Sequence, residues 1–565
     1  MLQRIPYLVG LLLVATASLY RLDMPVLWND EADTAVTGRN VLIHGYPVAH
    51  DGRNVLVFGN CMGVSVDLQP RTLPPVQYYV AAAGIHLFGD NARGVRVPFA
   101  LIGILAFFPL CALLRPLTPN VVVYATLLLL SPQVVLFHRN ARYFPVLTLT
   151  CVLALWLLTR KDGSKSARFV SLSLISAVMF NAHPLAAALT FASFAVMAFL
   201  ARRDRLGETL VSGAVGFASW FLIYFPKKPV GSVPPTIASS QASGIGDWLS
   251  NFVSGMIAGF ADLDFVNGLP LVFAFLIISF SLAFVRSRFL VVARYPLTIF
   301  VVVNLLLQIV ATAALSGSET QWHYAVLRYM PHLFVLLPLP LFLLVETWFG
   351  EPEDGRVRKV EFSERRRSPN QTPESSRPLP AVTQGRKAAL LVVVPIFLLN
   401  VGGVSLFTQP AEGRRWHVSW WLPVYKEIFQ PPTDPMLKLF QTLRDQAPAS
   451  TDTPIQVVPK FLNDVFTYYV GDRYLIAPDV EASSDCQACV EAAIGKESFA
   501  RFRQPPTWGV IFGKAANVPP GYREMKIDFN RWLPDATRPE LTRHGFAGEG
   551  TATTFYSLFR KNDSP

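Results

Sequence analysis

The feature that most constrains this chain is a repeated absence of charge. From Ile5 to Tyr20 no residue is charged, and runs of similar character return throughout the first 407 positions. A helix that crosses a bilayer needs about 20 mostly apolar residues. Segments of that kind fall at 5–22, 97–115, 119–136, 143–159, 169–182, 184–200, 209–225, 268–285, 295–315, 326–348 and 388–407, eleven in all. Composition agrees: of 565 residues, 52% are hydrophobic and 16% charged, where soluble domains carry about 25% charged residues. A string of soluble domains, a disordered chain and a disulfide-stapled miniprotein are thereby excluded. The expected class is mainly α, a polytopic membrane helical bundle.

Positive charge sets the expected orientation, because Lys and Arg accumulate in cytoplasmic loops. Arg160, Lys161, Lys165 and Arg168 share one short loop, Arg202, Arg203 and Arg205 another, and Arg286, Arg288 and Arg294 bracket a third. The segment 350–387 adds nine more and reads as a disordered basic linker touching membrane lipids. All share one side with a cytoplasmic N-terminus only if 73–88 does not span. That stretch then lies in the interface, within a long outer loop from 23 to 95. The run from Ile5 to Leu19 is long for a signal-peptide core and reads as a retained anchor. The net charge of +11 belongs to these loops, and no motif for nucleic acid accompanies it.

The expected domains are a transmembrane catalytic region at 1–349, the linker at 350–387, a last span at 388–407 and an extracytoplasmic soluble region at 408–565. Trp416, Trp420 and Trp421 follow the last span as an interfacial belt. Beyond them, apolar runs at 455–458 and 508–512 read as strands, and 434–446, 461–470 and 486–502 as helices. This alternation predicts a small α/β domain. No Gly-rich phosphate loop opens any of its helices. Cys111 and Cys151 fall in spans, and Cys486 and Cys489 form a CxxC expected to close on itself as a local disulfide.

The residues with most chemical promise follow the first span: Trp28-Asn29-Asp30-Glu31-Ala32-Asp33. Three carboxylates within four residues suit helix capping and dipole compensation. They equally suit a general base or a site for a divalent cation at the membrane surface.

This acidic pair resembles that of the GT-C class of membrane glycosyltransferases, which includes protein O-mannosyltransferases and the aminoarabinose transferases of lipid A. Further segments are similar in order and spacing: Pro74-Pro75-Val76-Gln77-Tyr78-Tyr79, Arg96-Val97-Pro98, Arg139-Asn140-Ala141-Arg142-Tyr143 and Arg328-Tyr329-Met330-Pro331. Phe99 stands where the class has a small serine, and Arg71-Thr72-Leu73 where His or Lys often precedes the prolines. The resemblance implies a sugar donor on a polyprenyl phosphate and a glycan, lipid or protein acceptor. It implies direct displacement with inversion in a cell inner or plasma membrane.

The chemistry needs a base for the acceptor proton, expected to be Asp30 with Glu31 second. The same two carboxylates are the expected ligands of a loosely held Mg²⁺ or Mn²⁺. The leaving phosphate needs cations, for which Arg142, Arg328 and Arg139 are the candidates; snorkelling to the interface is their ordinary reading. Tyr78, Tyr79 and His183 are expected at the substrate. The stretch 227–267 is a candidate lid, and Glu319 and His323 have no assigned role. A transporter of a lipid-linked saccharide is the alternative, and would place polar groups at mid-membrane.

Overall fold

The computed structural model describes residues 4–224 with short breaks at 25, 58–60, 62, 72–73 and 161–162, then 295–315, 331–340, 342–343, 435–446, 454–458, 462–478, 484–504, 508–512, 521–525 and 556–561, with isolated residues between. The expected spans at 268–285 and 388–407, the linker 350–387, the tryptophan belt, nearly all of 227–267, and Glu319 and His323 lie outside the described residues.

The chain is mainly helical. It begins with α1 (Ile5–Leu19), then α2 (Asn29–His44) and α3 (Val76–Phe88) in the outer loop, and α4 (Ala92–Leu105) running through Ala106 into α5 (Phe107–Leu114). The span expected at 119–136 is two helices, α6 (Val121–Leu129) and α7 (Pro132–His138). Pro132 has no N–H to continue the ladder, so the chain restarts there. Next come α8 (Phe144–Thr159), α9 (Lys165–Phe180), α10 (Pro184–Ala201) and α11 (Leu206–Tyr224), each opened or preceded by a turn where the sequence loses apolar periodicity. Two further helices, α12 (Pro296–Leu315) and α13 (Pro331–Leu336), pack onto α10 and α8. Among the described residues Ala92–Leu114, Pro184–Ala201 and Arg203–Tyr224 are long and apolar enough to cross a membrane, and Ile5–Leu19 and Phe144–Thr159 are shorter apolar helices. At 13 residues, α3 is about 20 Å long, short of a hydrocarbon core of about 30 Å.

One end of the bundle is basic. Arg202 donates to the Thr159 carbonyl at 2.9 Å, and Arg168 makes a two-pronged pair with Glu208 at 2.6 and 2.7 Å. The other end carries the 139–143 and 181–183 turns and α2. The 16 residues of α8 separate the two ends by about 24 Å.

Helices α2, α3 and α4 approach closely through small residues. A Cβ on Gly38 would lie 2.8 Å from the Ala81 Cβ and 3.2 Å from the Tyr78 carbonyl oxygen. Gly84 meets Gly94 and Pro98 in the same way. No side chain larger than hydrogen fits at either contact, so the register of these helices is fixed.

The C-terminal part consists of α14 (Pro435–Gln446), β1 (Pro454–Val458), α15 (Asn463–Val470), β2 (Leu475–Ile476), α16 (Ser484–Ile494), α17 (Lys496–Phe502), β3 (Trp508–Phe512), β4 (Tyr522–Met525) and β5 (Tyr556–Lys561). The helix expected over 486–502 is interrupted at Gly495, whose φ of +86° a side chain would resist. The strands form one mixed sheet in the order β2-β1-β3-β5-β4, parallel from β2 to β3 and antiparallel beyond.

This region is not tethered loosely. Val26, Leu27, Ala35 and Val36 of the outer loop share one buried cluster with Phe440, Phe466, Tyr474 and Val510. Asn54, 1% exposed, donates to the Gly471 carbonyl at 3.0 Å and accepts the Ile476 N–H at 2.8 Å. The Leu27 N–H donates to the Tyr469 hydroxyl at 2.8 Å. A disulfide joins Cys61 to Cys486 across 425 residues of sequence, and Cys489 is a free thiol. This corrects the expected Cys486–Cys489 bridge. Positions i and i+3 of one helix point along its surface, whereas Cys61 is delivered to Cys486 by the docked loop.

Candidate active site at the end of the bundle

The acidic segment is the first turn of α2, where the Glu31 carboxylate accepts the Trp28 N–H and Asp30 and Glu31 sit at the positive helix end. The three carboxylates have different surroundings. Glu31 is 2% exposed. Its Oε1 accepts Arg96 Nε at 2.8 Å and the Ala141 N–H at 2.8 Å. Its Oε2 accepts Arg96 Nη2 at 2.5 Å and the Trp28 N–H at 3.4 Å. Arg96 also donates to the Leu22 and Val26 carbonyls. Glu31 is therefore a buried strut joining α2, α4 and the 139–142 turn. Both oxygens are engaged by protein donors, so in this structure Glu31, expected as second base and metal ligand, serves as a structural link.

Asp30 and Asp33 lie one turn apart and share a cation. Arg142 Nη2 is 3.4 Å from Asp30 Oδ2, and Nη1 is 3.7 Å from Asp33 Oδ2. Nη1 also donates to the Asp30 carbonyl at 3.0 Å. The Asp30 and Asp33 side chains keep about a quarter of their surface, at 24% and 23%, while Arg142 keeps 6%. Tyr78, 1% exposed, donates its hydroxyl to Asp33 Oδ2 at 3.3 Å. Burial raises Asp33 to about 6, with Arg142 opposing, the Asp30 charge adding, and the Tyr78 bond opposing.

The remaining expected residues divide. Arg139 donates to the Ala17, Tyr20 and Arg21 carbonyls at 3.1, 2.6 and 3.2 Å. It caps the C-terminal end of α1, whose last carbonyls lack intrahelical partners, and in this structure its guanidinium is turned to these carbonyls. Arg142 is held by carboxylates and by the Tyr143 ring, 5.7 Å away. His183 caps α10, its Nδ1 accepting the Ala186 N–H at 3.1 Å, and its ring lies 4.7 Å from Tyr143. Burial, then the nearby Arg142, lowers His183 to about 3, so it is neutral. Tyr79, about 100° around α3 from Tyr78, is 46% exposed. Arg328 lies outside the described residues.

Sequence reasoning left two carboxylates unassigned to roles. Asp33 was visible in the motif but unranked. Asp464, in the first turn of α15, reads in sequence as an ordinary helix-start acid. It is held well above the usual carboxylate range, by burial first, then by Asp33 and Asp30, against Arg142. The arrangement thus pairs a partly exposed carboxylate, Asp30, with a fixed guanidinium. It can accept a proton from a bound hydroxyl or amine. Among the described residues no group of three metal-ligating side chains comes together, and of the expected Asp30–Glu31 pair only Asp30 is partly exposed.

The chain resembles several solved structures and one family model. The crystal structure of ArnT from Cupriavidus metallidurans bound to undecaprenyl phosphate is similar at TM-score 0.49 and 14% identity, over 90% of this chain and 92% of that one. Its apo form gives 0.48 and 16% over the same shares. The Archaeoglobus fulgidus oligosaccharyltransferase in complex with Zn and sulfate gives 0.45 and 13%, over 90% and 68%. No curated protein matches the sequence significantly. Residues 72–225, from α3 through α11 with Arg96, Arg142 and His183, match the family model of dolichyl-phosphate-mannose-protein mannosyltransferase.

Proposed function

We propose that this chain is an integral membrane glycosyltransferase that moves a sugar from a polyprenyl-phosphate donor to a glycan, lipid or protein acceptor. The observation that carries the reading is Asp30, a partly exposed carboxylate fixed by Arg142 at the end of an apolar bundle. The family match over 72–225 supports it, and the undecaprenyl phosphate bound by ArnT illustrates the donor chemistry. Asp30 takes the proton of the acceptor hydroxyl or amine as that group attacks the anomeric carbon. The sugar–phosphate C–O bond breaks, and its electron pair leaves with the lipid phosphate. Direct displacement inverts the anomeric centre. Arg142 holds Asp30 in line, and Arg328 is our candidate cation for the departing phosphate.

The basic bundle end faces the cytoplasm in this reading, so the site and the C-terminal region face outward. The Cys61–Cys486 disulfide agrees, since such bonds persist in oxidising compartments. One observation favours the transporter alternative: His332, Asn304, Thr190 and Ser193 form a buried polar network inside the bundle. Interhelical hydrogen bonding accounts for it without transport. The deciding experiment incubates purified protein with labelled polyprenyl-phosphate sugars. Asp30→Asn should abolish release of polyprenyl phosphate while membrane assembly stays intact. Full activity of that variant, or vectorial movement of intact donor, would overturn the reading.

A further inference from the structure

Two histidines meet at the end of α2 remote from the acids. His44 is the last residue of the helix, and His50 follows in the loop beyond it. Their rings lie 5.4 Å apart, centroid to centroid, at an interplanar angle of 55°. Along α2, His44 is about 21 Å from Asp30, so the pair is separate from the acidic site. Both histidines are held by well-fixed chain. Gly45, at φ +81°, closes α2 with its N–H on the Val41 carbonyl at 2.8 Å. Asn40 of α2 donates to the Val48 carbonyl at 2.9 Å and pins the link between the two histidines. His50 pairs with Val55 across a tight hairpin, in which Asp51 accepts the Arg53 and Asn54 N–H groups at 2.8 and 2.6 Å. The same hairpin docks on the C-terminal region, Asn54 through Gly471 and Ile476 and Arg53 through the Asp472 carbonyl.

The nitrogens decide what the pair can hold. His44 Nε2 and His50 Nδ1 are both buried, and neither has a hydrogen-bond partner among the described residues. Ring packing alone does not account for this, because a sealed polar nitrogen costs free energy unless something pairs with it. A cation between the rings pairs with both lone pairs at once. With metal–nitrogen bonds of about 2.1 Å, tetrahedral coordination by two imidazoles puts the ring centroids about 5.2 Å apart, close to the separation found. The setting favours positive charge: the C-terminal end of a helix carries partial negative charge, and the Asp51 carboxylate directly follows His50. Imidazole ligands select a borderline transition cation over Mg²⁺ or Ca²⁺.

We propose that His44 Nε2 and His50 Nδ1 form a binding site for a divalent transition cation of the Zn²⁺ or Cu²⁺ type, with water in the remaining positions. Bound there, the ion ties the end of α2 to the hairpin that docks on the C-terminal region. The site does not depend on the glycosyltransferase reading, and its ion takes no part in the transfer step.

The test uses the full chain in detergent micelles, purified without a polyhistidine tag and treated with EDTA. Titration with CuCl₂ at neutral pH, followed by electron paramagnetic resonance, should show saturable Cu²⁺ binding with splitting from imidazole nitrogen. Excess ZnCl₂ should displace the copper, and MgCl₂ should not. His44→Ala and His50→Ala should each lower the Cu²⁺ affinity by about tenfold or more, since even outer-shell changes at metal sites cost that much. His86→Ala, at an exposed position of α3, should leave it unchanged. Alkylation mapping of the Cys61–Cys486 bond shows that each variant is folded. A second readout needs no variant: ascorbate and peroxide oxidise the side chains that hold Cu²⁺. Peptide mapping of the wild type should find His44 and His50 oxidised, and ZnCl₂ should suppress the modification. Absence of saturable binding, an unchanged affinity in either variant, or oxidation concentrated at other histidines overturns the proposal.

Discussion

Removing either partner of the Glu31–Arg96 pair tests whether Glu31 is a strut or a reagent. Both residues are sealed, at 2% and 4% exposure. Glu31 accepts two bonds from Arg96 and one each from the Ala141 and Trp28 N–H groups. In Glu31→Ala the guanidinium keeps the Leu22 and Val26 carbonyls but loses its paired carboxylate in the interior. Breaking a buried pair in this way costs about 3–5 kcal/mol. Arg96→Ala leaves the carboxylate stranded at similar cost. The double variant should lose less than the sum of the two, because neither charge remains, with a coupling of about 0.5–3 kcal/mol. Equilibrium unfolding from mixed micelles, followed by tryptophan fluorescence, measures all three. Per folded molecule, transfer by Glu31→Gln should stay within about tenfold of wild type, whereas loss of a catalytic base costs about 10²–10⁴-fold. A variant as stable as wild type that has lost transfer would refute the assignment.

Other expectations follow from the same geometry. Denatured but unreduced protein should alkylate at Cys111, Cys151 and Cys489, and at all five cysteines after reduction; peptide mapping that finds Cys61 labelled and Cys489 protected would contradict the pairing. Asp33 is raised from 3.8 to about 6 in the folded chain. The folded state therefore binds its proton more tightly. Its contribution to stability is fully present below about pH 4 and is lost as pH rises through about 6. Thermal midpoints at pH 5 and 7 should differ less in Asp33→Asn than in wild type, and an unchanged difference would discount the burial argument.

Much of the bundle was legible because hydropathy reports what a bilayer demands. The expected spans from 5–22 to 209–225 correspond to α1 and to α4 through α11, and 455–458 and 508–512 are β1 and β3. The break between α6 and α7 was signalled by Ser131-Pro132 but passed over within an apolar run. The site was legible as a motif but not as roles. Asp30, Glu31 and Asp33 are near-equivalent on paper. Which one is consumed as a strut depends on Arg96, 65 positions away. Arg139 and Arg142 are three residues apart, yet one caps α1 and the other binds carboxylates. Asp464 and the Cys61–Cys486 bond depend on docking between distant segments, for which a single sequence carries no local signal.

The 425-residue interval between Cys61 and Cys486 also orders events in time. The outer loop with α2 leaves the ribosome early, but the region it packs against is synthesised near the end, and oxidation must then join the two. A growing or truncated chain holds α2 without α15 against it. The docked arrangement of α2, α15 and the disulfide thus exists only when translation is nearly done.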